Sequence, residues 1–165
     1  MTAVEVYEFT TQGGATDFAR LIRACESFGP YCLIGGLAVN CYVEPVYTVD
    51  ADVVVISAVL RDLTAHLEER GFKTEIGSAL RIQFTIGERY QDFLPRSVEA
   101  EVLGMRVKVA CLEDVTQGKL WAFGETERRL SKRKKDELDL IRLAEAYPRL
   151  KSAFPRELLD QIENG

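Results

Sequence analysis

Asp50 and Asp52 stand one residue apart in the run Val49-Asp50-Ala51-Asp52-Val53-Val54-Val55, downstream of the glycine pair Gly35-Gly36. Side chains at i and i+2 of a strand share a face, so the two carboxylates are expected side by side, with about 6–7 Å between their Cα atoms. Adjacent carboxylates repel, and apolar flanks worsen the repulsion by excluding water. A divalent cation, Mg²⁺ or Mn²⁺, is the simplest offset. Two carboxylates holding metal suit phosphoryl or nucleotidyl transfer, in which metal ions activate the attacking hydroxyl and bind the triphosphate. The glycine pair offers the complementary part: backbone N–H groups that approach an anion closely, at the start of a helix whose dipole favours it. Each feature alone has a plainer reading, a packed turn for the glycines and a solvated strand edge for the carboxylates. Thr48 shares the face of Asp50 and is a further candidate for the site.

The elements that must position these groups follow from hydrophobic spacing. Residues 4–9 alternate weakly and read as a strand or an ordered lead-in. Phe18, Leu21, Ile22 and Cys25 recur at helical spacing, predicting a helix over 16–28 stopped by Gly29-Pro30. Residues 31–34 read as a short buried strand running into the glycines, and 36–42 as the helix after them. Residues 49–56 form the most hydrophobic strand, and Ser57 is a candidate N-cap for a helix over 58–70 closed by Gly71. Further strands are expected at 72–76, 80–86, 98–103 and 107–110, with Gly104 at a hairpin turn. Helices follow at 112–123, 134–146 and 155–162, the last with Pro155 in its first position. The expected architecture is α/β (α+β in some schemes): a mixed sheet flanked by helices over 1–111, with a helical segment over 112–165 packed on it as one domain.

Composition sets the outer limits. The chain has 165 residues, 47% of them hydrophobic and 28% charged, enough apolar material for a real core. A net charge of −5 gives no general attraction to nucleic acid or anionic lipid. Cys25, Cys32, Cys41 and Cys111 form no C-x-x-C pair and there is one histidine, which argues against a zinc site and for small buried thiols. His66 reads as an ordinary boundary residue, and Trp121 as core in preference to a base-stacking platform. The start lacks a basic and apolar leader, and no run is long enough to span a membrane, so a cytoplasmic location without membrane partners is expected.

The run IGGLAVNCYVEPVYTVDADVVV, with Gly35, Gly36, Asp50 and Asp52 in its fixed positions, resembles the signature of the DNA polymerase β-like nucleotidyltransferase superfamily. LEDVTQGKLWAF, carrying Lys119, and KRKKDELDLIRL, carrying Lys135, Asp136 and Asp139, extend the likeness to small bacterial AbiEii-type nucleotidyltransferases over roughly residues 14 to 146. The resemblance implies the nucleotidyltransferase-type fold and Mg²⁺- or Mn²⁺-dependent transfer of a nucleotide from an NTP to a protein or RNA hydroxyl. It implies metal ligation and catalysis by Asp50 and Asp52. Nucleotide binding falls to Gly35, Gly36, Thr48, Lys119 and Lys135, with Lys119 neutralising triphosphate charge. It also implies a toxin of a toxin–antitoxin or phage-defence pair, with an antitoxin as partner. The basic run Lys132, Arg133, Lys134 and Lys135 reads either as a triphosphate or RNA-backbone contact or as a solvated face. Asp136 and Asp139, three apart, share a helix face.

One departure stands out. The superfamily places a third carboxylate on a later strand, and here that strand reads Leu80-Arg81-Ile82-Gln83-Phe84-Thr85-Ile86, with Gln83 at the expected position. A neutral amide is a poor general base. The alternative reading is therefore a catalytically weak nucleotide-binding or regulatory protein.

Overall fold

The computed structural model describes residues 2–72 and 80–165. At its centre Tyr31–Ile34 (β1) pairs antiparallel with Asp50–Val55 (β2). Arg81–Thr85 (β3) adds parallel to β2, and Val98–Val102 (β4) with Met105–Val109 (β5) forms a hairpin whose β5 runs parallel to β1. Among the described residues the sheet order is β3-β2-β1-β5-β4. Ala51, Val53 and Val55 point to one face of β2 and Val54 to the other, and all four are buried, as a central strand covered on both faces requires. Leu103 and Gly104 both take positive φ, +49° and +80°, which closes the β4–β5 hairpin with the handedness its twist favours.

The helices are Ala3–Thr11 (α1), Gly14–Phe28 (α2), Gly35–Val39 (α3), Ser57–Glu69 (α4), Glu88–Gln91 (α5), Leu112–Gly124 (α6), Leu130–Ala146 (α7) and Arg156–Asn164 (α8), with a 3-10 turn over Pro148–Ala153. Phe18, Leu21, Ile22 and Cys25 form the predicted buried stripe of α2. Helices α6 and α7 pack on each other, and both touch α3, so the glycine turn lies under the C-terminal helices. Among the described residues no helix is long and apolar enough to cross a membrane.

Several sequence expectations need correction. Residues 4–9 lie within α1, not a strand. Thr2 and Glu5 form a reciprocal capping box, with Glu5 Oε2 accepting from Thr2 N at 2.6 Å and Thr2 Oγ1 from Glu5 N at 3.2 Å. The helix is pinned by Tyr7, whose buried hydroxyl donates to the Thr48 carbonyl at 2.8 Å. Ser57 makes no side-chain cap; Ile56 is the N-cap of α4 and Ser57 its first helical residue. Helix α7 begins at Leu130, so the basic run lies inside it and not ahead of it, as suits lysine and arginine, both good helix formers. Pro155 is the N-cap of α8, one position earlier than predicted. Cys25 and Cys32 are buried, but Cys41 and Cys111 are only half-buried. The strand expected at 72–76 falls largely outside the described residues.

Candidate functional site

The site begins where β1 ends. Gly35 adopts φ +70°, a backbone region that side chains disfavour. It also has no room for one: a Cβ built there would stand 2.9 Å from Cγ of Asp52 and overlap its carboxylate. The backbone pairing explains the meeting, because Ile34, the residue before the turn, is the register partner of Asp52. Gly36, the second residue of α3, packs against Thr48, with 3.4 Å between its hypothetical Cβ and Thr48 Oγ1. Thr48 is buried, and its hydroxyl accepts from Asp50 N at 3.3 Å and from Lys135 Nζ at 3.1 Å. Five of the sequence-predicted residues, Gly35, Gly36, Thr48, Asp50 and Asp52, are thus linked in one chain of contacts, and Lys135 joins it through Thr48.

The two carboxylates occupy different electrostatic settings. Asp50 Oδ1 meets Arg81 Nε at 2.8 Å and its Oδ2 meets Lys132 Nζ at 2.9 Å. Burial pushes the Asp50 carboxyl up, but the Lys132 hydrogen bond and the charges of Lys132, Arg81 and Lys135 hold it below its ordinary value. Among the described residues no side chain makes a hydrogen bond or ion pair to Asp52. Burial raises its pKa, the more distant Lys119 opposes that, and neighbouring Asp50 adds to it.

Lys119 projects from α6 into a buried charge cluster. Its Nζ lies 2.9 Å from Asp136 Oδ1 and 2.7 Å from Asp139 Oδ2. Arg128 Nε meets Asp136 Oδ2 at 2.8 Å, and Arg142 meets Asp139 Oδ1 at 2.8 Å. Burial pushes the Lys119 ammonium down, but Asp139 and Asp136 hold its pKa above the usual lysine value. Lys132, Lys135, Asp136 and Asp139 are spaced i, i+3, i+4 and i+7 and form one stripe of α7: its cations reach Thr48 and Asp50, its carboxylates reach Lys119. Asp136 and Asp139 thus share a helix face, as their spacing predicts, and both lie buried in ion pairs inside α7.

A cavity of about 160 Å³ opens between the sheet and α6, lined among others by Gly35, Asp52, Gln83, Tyr90, Lys119 and Arg128. Gln83 is the register partner of Asp52 on β3, which places it beside the acidic pair where the third carboxylate was expected. Trp121 is part of the packing: its ring stacks on Phe93 at 5.8 Å, meets Tyr90 edge-on at 5.1 Å, and is covered by the Arg89 guanidinium at 4.7 Å.

The donors at hand are hard oxygens, those of Asp50 and Asp52 with the Gln83 amide alongside. Among the described residues no group of three histidine, cysteine or acidic side chains could enclose a metal. That set fits Mg²⁺, which commonly takes one or two carboxylates and completes its shell with water and substrate phosphate. Arg81, Lys132 and Arg128 were not singled out individually from sequence as site residues. Arg81 is reached only through the β2–β3 register, whereas the i, i+3, i+4 spacing of Lys132 with Lys135 and Asp136 was available.

No protein-family model and no curated protein matches the chain. Its fold is shared by several solved structures, among them a resistance factor and a nucleotidyltransferase-like protein. The antibiotic-resistance factor ANT(2'')-Ia superposes with a TM-score of 0.57 at 19% identity, covering 94% of this chain and 96% of that one. An antigenic nucleotidyltransferase-like protein from Paracoccidioides brasiliensis gives 0.51 at 17% identity, covering 90% and 91%. The chain has the nucleotidyltransferase-type fold expected from its sequence.

Proposed function

We propose that this chain is a Mg²⁺- or Mn²⁺-dependent nucleotidyltransferase that moves a nucleotide from an NTP onto a hydroxyl of a protein or RNA acceptor. The observation that carries the reading is the seating of Asp52 over Gly35. A turn able to present backbone N–H groups to a phosphate and a carboxylate able to hold a cation meet at one point. Asp50 and Asp52 would hold the metal, which when bound neutralises charge on the reacting phosphate and on the leaving pyrophosphate. Gly35 and Gly36 cradle the phosphates, with Thr48 buttressing Gly36. Lys135 supplies positive charge from the edge of the site, and Lys119 from the cavity wall, where its field already reaches Asp52. The likeness to AbiEii-type proteins adds a role as the toxin of a toxin–antitoxin or phage-defence pair.

The test is transfer of label from each α-labelled NTP, with Mg²⁺ or Mn²⁺, to fractionated cellular protein and RNA. A panel of antibiotics belongs in the same assay, prompted by the resistance factor that shares the fold. Label transfer that disappears in Asp50→Asn/Asp52→Asn protein supports the reading, and absence of transfer with all four NTPs and all acceptors counts against it. Growth arrest on expression of wild type but not of the double variant tests the toxin role.

A second reading, nucleotide binding without transfer, is favoured by the register of Gln83 against Asp52. It predicts NTP binding of ordinary affinity with no product.

A further inference from the structure

Three cations crowd the outer side of the acidic pair, where one carboxylate is available to them. Arg81 Nε takes Asp50 Oδ1 at 2.8 Å and Lys132 Nζ takes Oδ2 at 2.9 Å. Lys135, one turn further along α7, rests on the neutral Thr48 hydroxyl at 3.1 Å. Both Asp50 oxygens are engaged, each by a separate cation, and net positive charge remains. A bare divalent cation approaching the pair therefore meets one saturated carboxylate and a repulsive surround. A polyphosphate reverses that balance, because it carries charge enough to take over both cations and to bring a metal with it.

Resting on the nucleotide-site reading, we propose that Lys132 and Arg81 are exchangeable counter-ions that pass from Asp50 to the polyphosphate of an incoming metal–nucleotide complex. Metal then enters with the nucleotide and not ahead of it. The exchange keeps every charge paired: each cation leaves a carboxylate oxygen for a phosphate oxygen, and Asp50 trades two monovalent partners for one divalent ion.

The anatomy separates these two from the other basic groups near the site. The Arg81 side chain is 65% exposed and that of Lys132 36%, both on long flexible stems free to swing. Lys119, at 8%, is wedged between two buried aspartates, and its departure would strand them. The placement is built in from both sides, since Arg81 is the register partner of Asp50 on β3 and Lys132 lies on the site-facing stripe of α7.

The experiment measures free Mn²⁺ binding by electron paramagnetic resonance for wild type, Lys132→Met, Arg81→Met and the double variant. Calorimetry of each Mg²⁺–NTP runs on the same proteins. Both side chains are solvent-accessible, so the variants are expected to fold, and circular dichroism checks this. The expected result is free Mn²⁺ affinity raised about tenfold or more in the double variant, the scale of neighbouring charges at a partly solvated site. Adding Asp50→Asn cancels that gain, and Mg²⁺–NTP affinity falls by a similar factor in the double variant. Equal Mn²⁺ affinity in wild type and double variant overturns the proposal, as does a double variant that binds Mg²⁺–NTP undiminished. A wild type that binds no NTP overturns the nucleotide-site reading, and with it the hand-over of the cations to phosphate. The Mn²⁺ comparison separately reports whether Lys132 and Arg81 hold the metal position.

Discussion

Gly35 and Asp52 occupy space that only a glycine can share: the Asp52 carboxylate lies where the Cβ of any other residue at 35 would project. Replacing Gly35 with alanine therefore has two consequences. The positive φ costs about 1–2 kcal/mol for a residue with a Cβ, and the methyl group pushes the Asp52 carboxylate off the turn. Gly35→Ala is expected to lower the thermal midpoint and to abolish metal-dependent NTP binding together. Retained binding in a folded variant would show that the seating of Asp52 is packing alone.

The two aspartates should respond oppositely to neutralisation. Asp50 has a folded pKa held below its ordinary value, so it contributes stability above the usual aspartate value of 3.8 that is lost as pH falls through the lowered folded value. Asp50→Asn should destabilise at pH 7 by up to about 1 kcal/mol, the scale of partly solvated ion pairs. Asp52 has a raised pKa, so its ionised form costs stability once the pH rises past the folded value. Asp52→Asn should stabilise the fold at pH 7, with the advantage shrinking toward pH 3, while removing metal-dependent nucleotide binding. Thermal melts across pH 3–8 read both signs, and an Asp52→Asn protein less stable than wild type at pH 7 would contradict this electrostatic picture.

Lys119 is structural before it is anything else. Removing its ammonium leaves Asp136 and Asp139 buried, each with an arginine as its remaining cation. Lys119→Met should cost about 3–5 kcal/mol in denaturant unfolding, the range for breaking a buried ion pair from one side. Lys134→Met, on the exposed side of the same helix, should stay within about 0.5 kcal/mol. The raised Lys119 pKa adds a pH signature: the contribution is full below the usual lysine value of 10.5 and is lost as pH rises through the folded value. A Lys119→Met protein as stable as wild type would show that the buried cluster contributes nothing.

Gln83 gives a direct test of whether transfer is limited by a missing base. Its register beside Asp52 puts Gln83→Asp within the acidic cluster. If the chain is a slow transferase, that change should raise the transfer rate by about 100-fold, the low end for a positioned general base. An unchanged rate would mean that catalysis does not depend on this position.

Much of this was legible from local pattern. The glycine turn, the acidic pair, strands β1 and β2 and the stripe of α2 are all written in short-range spacing, and the structure has them where the spacing puts them. Residues 4–9 read as a strand or an ordered lead-in because their apolar residues alternate weakly, although Thr2 and Glu5 already spell the capping box of α1. Pairings across the chain could not be read at all. Arg81 meets Asp50 only because β3 adds parallel to β2 in one register, and Lys119 is locked only because α7 turns two aspartates toward α6. Such contacts depend on tertiary packing, which a single sequence does not encode in its local periodicity.

The proposed function rests on a metal-dependent nucleotide site built on Gly35, Asp50 and Asp52. The most direct measurement is calorimetric titration of each NTP, with Mg²⁺ or Mn²⁺ and without metal, into wild type and Asp50→Asn/Asp52→Asn protein. The expected result is binding to wild type that requires metal and is lost in a folded double variant. Wild-type protein that binds none of the four NTPs, or a double variant that binds as wild type does, would contradict it.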